Sequence, residues 1–134
     1  MHWGVYSVPS YCQCGDDNVE CPQTCYSEWY GHRLRESTVN NPVGAATQAF
    51  HAKAYGKDFK YEEFAPMWTN ELFNATEWAE LFAASGARGL TMTSKHHEGF
   101  TLWPSAQSWM WNAVDSGPKE DLLLALSTAV RAQG

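Results

Sequence analysis

The stretch SKHHEGFTLWPS, Ser94 to Ser105, places two adjacent imidazoles between a lysine and an acid, with Phe100 and Trp103 following at once. A neutral imidazole can donate one hydrogen bond and accept another. His96 and His97 side by side can therefore grip neighbouring hydroxyls of one ligand. Two other readings stand beside this one. The pair can ligate a metal, because His is a common ligand. Against that, helical H-E-x-x-H spacing is absent and no His/Cys cluster lies nearby. The plainest reading is one ring buried and hydrogen-bonded and the other exposed.

A second group is Tyr26-Ser27-Glu28-Trp29-Tyr30, a carboxylate among three aromatics. Burial beside aromatics raises a carboxyl pKa and suits an acid catalyst. Ionised, Glu28 can instead accept hydrogen bonds from ligand hydroxyls while Trp29 packs on apolar ring atoms. The alternative is an amphipathic helix start with a solvated Glu28. His2, within His2-Trp3-Gly4, is a third candidate, although a lone His is more often structural. Glycoside chemistry needs paired carboxyl groups, and Glu28, Glu98, Asp115, Glu120 and Asp121 qualify by residue type only. Of these, Glu120 and Asp121 read as partners of a helix dipole and Asp115 as a turn residue. No nucleophile elbow, glycine-rich phosphate loop or C-x-x-C redox pair occurs.

The elements that must hold these groups alternate. Gly4 to Tyr11 reads as an irregular loop after a strand end, because Pro9 interrupts it. A short helix is expected from Ser27 to Arg35, broken by Asn40-Asn41-Pro42, and another from Gln48 to Tyr55, ended by Gly56. The clearest helix spans about Ala75 to Ser85. Asn74 or Thr76 caps it, Trp78, Leu81 and Phe82 share one face, and Gly86 stops it. Leu90 to Thr93 reads as a short strand leading directly into the double histidine. A last helix begins near Ser116-Gly117-Pro118, with Leu122, Leu123, Leu126 and Val130 as its buried face. Strands alternating with helices argue for an α/β fold with a parallel sheet. The two strand pieces cannot cover both helices, so the pattern suits part of a larger sheet or barrel. In such barrels the C-terminal strand ends carry the site, which is where His96 and His97 stand.

The 134 residues suit one domain. Seven Trp favour a planar or carbohydrate ligand, or equally a Trp-rich core. The net charge of −6 and the lack of any basic run argue against a nucleic-acid partner. No stretch approaches a membrane span. No signal peptide is visible, and the chain reads as lacking both its beginning and its end. Cys12, Cys14, Cys21 and Cys25 lie close together and allow three disulfide pairings. A disulfide-stapled loop in an oxidising compartment is the expectation, and a zinc-stabilised interaction domain is the alternative. Asn74-Ala75-Thr76 is a glycosylation sequon whose Asn also suits a helix cap.

Taken together, these segments resemble the N-terminal part of an α-L-fucosidase of glycoside hydrolase family 29. HWGVYSVP, SEWY, YGKDFKYEEFAPMWTNELFNATEWAELFAASGAR, LTMTSKHHEGFTLWPS and WNAVDSGPKEDL stand in family order over most of the chain. The resemblance implies an α/β fold, the N-terminal portion of a (β/α)8-like TIM barrel, incomplete here. It implies one partial catalytic barrel over residues 1–134, with a cysteine-rich insertion at about residues 12–25. The implied reaction is retaining hydrolysis of terminal α-L-fucose from fucosylated glycans, without a cofactor. By position, His2, Glu28, Trp29, His96 and His97, with Tyr26 less directly, resemble the family's fucose-binding residues. Trp103 is expected to pack the loop, with a site role as the alternative. The nucleophile and the acid/base have no matching position in this chain. Glu98 stands where Asp is more usual. A non-catalytic fucose-binding remnant is the competing expectation, and a secreted or lysosomal setting is implied.

Overall fold

The computed structural model describes residues 1–12 and 26–134. Among them, the chain forms four α-helices linked by short 3-10 turns, and no regular strand. The framework expected at Cys14, Cys21 and Cys25 lies outside the described residues. Cys12 itself is disulfide-bonded.

The expected strand at Leu90 to Thr93 is not formed as a regular element. What is present is one rung of parallel pairing. The Met1 amino group donates to the Thr91 carbonyl at 2.8 Å, and the Thr93 N–H donates to the Met1 carbonyl at 2.9 Å. One residue bonding to positions two apart on its neighbour is the parallel-ladder pattern. A single rung is too short for a strand. It nevertheless sets the segment leading to His2 beside the segment leading to His96 and His97. Further isolated bridges join Lys95 to Thr101 and Thr101 to Asn112, folding the loop after the histidines back on itself.

The helix expected from Ser27 appears as a 3-10 turn over Ser27–Trp29 running into α1, Tyr30–Arg33. Helix α2, Pro42–Ala54, is longer than the sequence reading allows. Asn41 is its N-cap, accepting from the Gly44 N–H at 2.9 Å, and Pro42 takes the first helical position. Asn-Pro here starts a helix rather than only ending one.

Helix α3, Ala75–Ala84, is capped by Asn74, whose Oδ1 accepts from the Thr76 and Glu77 N–H groups. Its deeply buried residue is Ala79, with Trp78 and Phe82 half-buried, whereas Leu81 is 66% exposed. Helix α4, Leu122–Arg131, starts later than Pro118 suggested. Asp121 caps it through Leu124 N–H, and Leu122 and Leu126 are fully buried. Gly117 occupies a left-handed turn at φ +72, where a Cβ would lie 2.9 Å from the Ala65 carbonyl oxygen. Only glycine fits that close approach.

The core is aromatic. Val5, Tyr30, Tyr61, Phe64, Trp68, Phe100, Leu102 and Leu122 form one buried cluster. The irregular 3-10 stretch Tyr61–Met67 supplies several of these side chains. His51 of α2 is buried beside them. Its Nε2–H donates to the Phe59 carbonyl at 2.8 Å, so its Nδ1 accepts from the Tyr30 hydroxyl at 2.9 Å. With both ring nitrogens satisfied, His51 is structural.

Candidate functional site

Three separate segments deliver imidazoles and an indole to one place. His2 follows the paired Met1. Trp29 stands at the junction of the 3-10 turn and α1. His96 and His97 follow Thr93, the other side of the rung. The His2 and His96 ring centroids are 4.7 Å apart, His96 and His97 4.0 Å, and Trp29 and His97 4.0 Å. All three contacts are edge to face, which suits the ring quadrupoles and fixes each ring against its neighbour. Tyr6 adds its ring at 5.0 Å from His2.

His97 is also stacked on His32 of α1 at 5.6 Å with an interplanar angle of 11°. His32 was not singled out in the sequence. Its signal was the i, i+3 spacing from Trp29, which places both on one helical face. His32 is in turn held by Glu36 at 2.9 Å, one turn along. Glu28, His32, Arg35, His97 and Glu98 line a small cavity of about 60 Å³ at the edge of this cluster. At roughly 30 Å³ for a water, that space holds a group of about one or two waters' size.

Of the expected residues, His2, Trp29, His96 and His97 come together, and Glu28 joins them at the cavity wall. Tyr26 does not. Its ring is exposed and makes no ring contact among the described residues, and its carbonyl only accepts the Trp29 N–H. Trp103 likewise makes no ring contact with the cluster among the described residues. Asp115 is the turn residue expected, accepting from the Met110 N–H and the Asn112 side chain.

The electrostatics favour neutral imidazoles. Burial, and then the neighbouring His96, pull the His2 pKa below 6.5, with Glu28 opposing them. His97 is lowered too, first by desolvation and then by His96 and His32. Burial pushes the Glu98 carboxyl above 4.5. No His2, His96 or His97 ring nitrogen makes a protein hydrogen bond among the described residues; His97 is the exposed ring of the plain reading, but His96, its side chain 26% exposed, lacks the hydrogen bond that reading requires. Nor do three or more His, Cys, Asp or Glu residues gather in a metal-holding group among the described residues. A larger cavity of about 440 Å³ lies beside Arg35, lined also by Leu34, Gln48, His51, Lys57 and Tyr61. Its His51 is already satisfied and its Arg35 is paired with Glu62 at 2.6 Å. The Tyr61 hydroxyl of that cavity has no partner among the described residues, but the His2–His96–His97 cluster gathers several such imidazole nitrogens in one place.

Comparison with known proteins places the chain in a family. The whole chain, residues 1–134, matches the family model described as alpha-L-fucosidase. It is 43% identical to the plasma alpha-L-fucosidase of Homo sapiens over 131 residues, covering 98% of this chain and 24% of the human protein. A crystal structure of Thermotoga maritima alpha-fucosidase in complex with fucose superposes with a TM-score of 0.80 at 40% identity, covering 99% of this chain and 29% of that one. A Bacteroides thetaiotaomicron GH29 alpha-L-fucosidase, trapped as a covalent intermediate, gives a TM-score of 0.63 at 26% identity over 99% of this chain and 24% of that one. The chain belongs to the alpha-L-fucosidase family of glycosidases. It spans about a quarter of the length of these relatives. No helix among the described residues is long and apolar enough to cross a membrane.

Proposed function

We propose that this chain forms the fucose-reading wall of a retaining alpha-L-fucosidase acting on terminal α-L-fucose of fucosylated glycans. The observation that carries the proposal is the convergence of His2, His96, His97 and Trp29 on one spot with their polar atoms unspent. Neutral imidazoles can accept from one sugar hydroxyl and donate to another. Trp29 offers an apolar face to ring carbons, and Glu28 can accept a further hydroxyl. Tyr26 belongs to this set only if a ligand draws its exposed ring inward.

The same reading assigns residues 1–134 to the first part of a (β/α)8 barrel. The Met1–Thr91 and Thr93–Met1 bonds support it, because they set two site-bearing segments parallel. The cysteine-rich insertion at about residues 12–25, stapled by disulfides, belongs to the proposal as well. So does a secreted or lysosomal setting, which the plasma relative supports. Retention requires two carboxyl groups about 5–5.5 Å apart flanking the scissile bond. Glu28 and Glu98 sit on the binding side, and the proposal places the nucleophile and the acid/base outside residues 1–134. The covalent intermediate trapped in the Bacteroides relative supports the retaining course.

The test is an aryl α-L-fucoside assay run with a binding assay for L-fucose on the 134-residue chain. Binding without turnover is expected. Turnover abolished by His97→Ala would refute the assignment of the catalytic groups. Absence of binding would refute the reading of the wall.

A further inference from the structure

Beneath the histidine pair lies a carboxylate that the proposed sugar contacts leave unused. The Glu98 side chain is only 6% exposed, and its Oε2 stands 3.6 Å from His96 Nδ1. Both atoms are buried and neither has a hydrogen-bond partner. Buried polar atoms are normally paired, so two orphans facing each other just beyond bonding distance form an incomplete contact. The separation exceeds the hydrogen-bond range by roughly half an ångström, within reach of a small ring rotation.

The backbone that carries Glu98 is pinned from behind. Trp111 Nε1–H donates to the Glu98 carbonyl at 2.8 Å, and the Ser108 hydroxyl donates to the Gly99 carbonyl at 3.2 Å. Trp111 also packs edge to face on the buried Phe100 at 5.0 Å. Glu98 is thus aimed by the loop from Ser105 to Trp111 and not by solvent. The Tyr61 hydroxyl is a third buried atom without a partner. Tyr61 packs edge to face against Trp111 at 6.0 Å, and after burial Glu98 is the largest charge raising its pKa.

We infer that Glu98 is a positioning residue, holding the proton of His96 on Nδ1 and so presenting Nε2 to a sugar hydroxyl as an acceptor. Which imidazole nitrogen carries the proton is set by the hydrogen bond the other ring nitrogen lacks or makes. A ligand over the cluster excludes water, strengthens the Glu98–His96 attraction and closes the contact. His97 shares its cavity with Glu28 and Glu98 but forms an ion pair with neither, and is left to donate or accept. The pair of imidazoles then reads two hydroxyls in different senses. The inference deepens the fucose reading and rests on it for the identity of the ligand, but the Glu98–His96 pairing is measurable without sugar.

The experiment is long-range ¹H–¹⁵N spectroscopy of the histidine-labelled 134-residue chain, with and without L-fucose, for the wild type, Glu98→Leu and Glu98→Asp. The wild type is expected to carry the His96 proton on Nδ1, more completely with fucose present. Glu98→Leu is expected to lose that preference and bind fucose about tenfold more weakly, the order expected when a buried hydrogen-bonding group loses its partner. Glu98→Asp, which keeps the carboxylate, should recover part of both. A wild-type His96 protonated on Nε2 in both states overturns the inference, and does so even if Glu98→Leu fails to fold. Wild-type fucose affinity in a folded Glu98→Leu overturns it as well. An Nδ1 proton that depends on Glu98 in a chain that binds no fucose supports the pairing and refutes the fucose reading instead.

Discussion

Trp29 and His97 meet edge to face with ring centroids 4.0 Å apart at 83°, although 68 positions separate them in the chain. The contact joins the turn leading into α1 to the loop after Thr93. It fixes the outer imidazole of the pair from one side while His32 stacks on it from another.

Removing that support should loosen the site more than the fold. Trp29 is 36% exposed and lies outside the buried core cluster, so Trp29→Ala should cost less than truncation of a core aromatic. An edge-to-face aromatic pair contributes about 0.5–1.5 kcal/mol. Trp29→Ala is therefore expected to weaken L-fucose binding severalfold while changing the thermal midpoint by only a few degrees. Calorimetry and thermal unfolding on the same sample check this, and a collapse of stability with unchanged affinity would contradict it.

The pH dependence follows from the depressed histidines. His2 and His97 hold fewer protons in the folded chain than in the unfolded chain at pH values just below 6.5. Stability rises with pH wherever the unfolded state binds more protons. Their contribution is thus complete above 6.5 and is lost as pH falls below it. Glu98, raised above 4.5 by burial, acts in the opposite sense. Its cost appears as pH rises from 4.5 through its folded value. NMR titration should find His97 ionising below 6.5, and a midpoint above 6.5 would contradict the assignment of neutral imidazoles.

Helix α3 depends on its cap. Asn74 satisfies two N–H groups, each at 3.1 Å. Asn74→Ala should cost about 1 kcal/mol of stability, read as a lower denaturant midpoint with an unchanged slope. No change would show that α3 is held by packing alone.

Gly117 tests the tight turn before α4. A methyl there would sit 2.9 Å from the Ala65 carbonyl oxygen and 3.1 Å from that of Trp68, in a left-handed backbone. Gly117→Ala is expected to destabilise by about 2 kcal/mol or more. A neutral effect in denaturant unfolding would show that the Ala65–Trp68 segment yields.

Much of the site was legible because its signals are local. Two adjacent histidines after an apolar run, and Glu-Trp beside Tyr, name themselves as chemistry-bearing residues. The convergence of Trp29 on His97 was not readable from spacing, since only tertiary packing joins them. His32 was missed because its i, i+3 spacing from Trp29 counts only once both residues are known to share one helical turn. Helix α2 was cut short because Asn41-Pro42 was read as a breaker when it is a cap followed by a first-turn proline. The strand at Leu90 to Thr93 was overread. Strand formation requires a neighbouring ladder, and among the described residues Met1 supplies a single rung. Leu81 was assigned to the buried face of α3 by its spacing from Trp78, yet only residues facing α4 and the aromatic core are covered.

The most direct test of the account is a ¹H–¹⁵N titration of the 134-residue chain with L-fucose, following the histidine side chains and the indole N–H signals. Saturable shifts at His2, His96, His97 and Trp29, lost together in His97→Ala while the rest of the spectrum is kept, are the predicted result. No saturable shift, or shifts confined to the cavity lined by Leu34, Lys57 and Tyr61, would contradict the claim that these side chains form a fucose-binding wall.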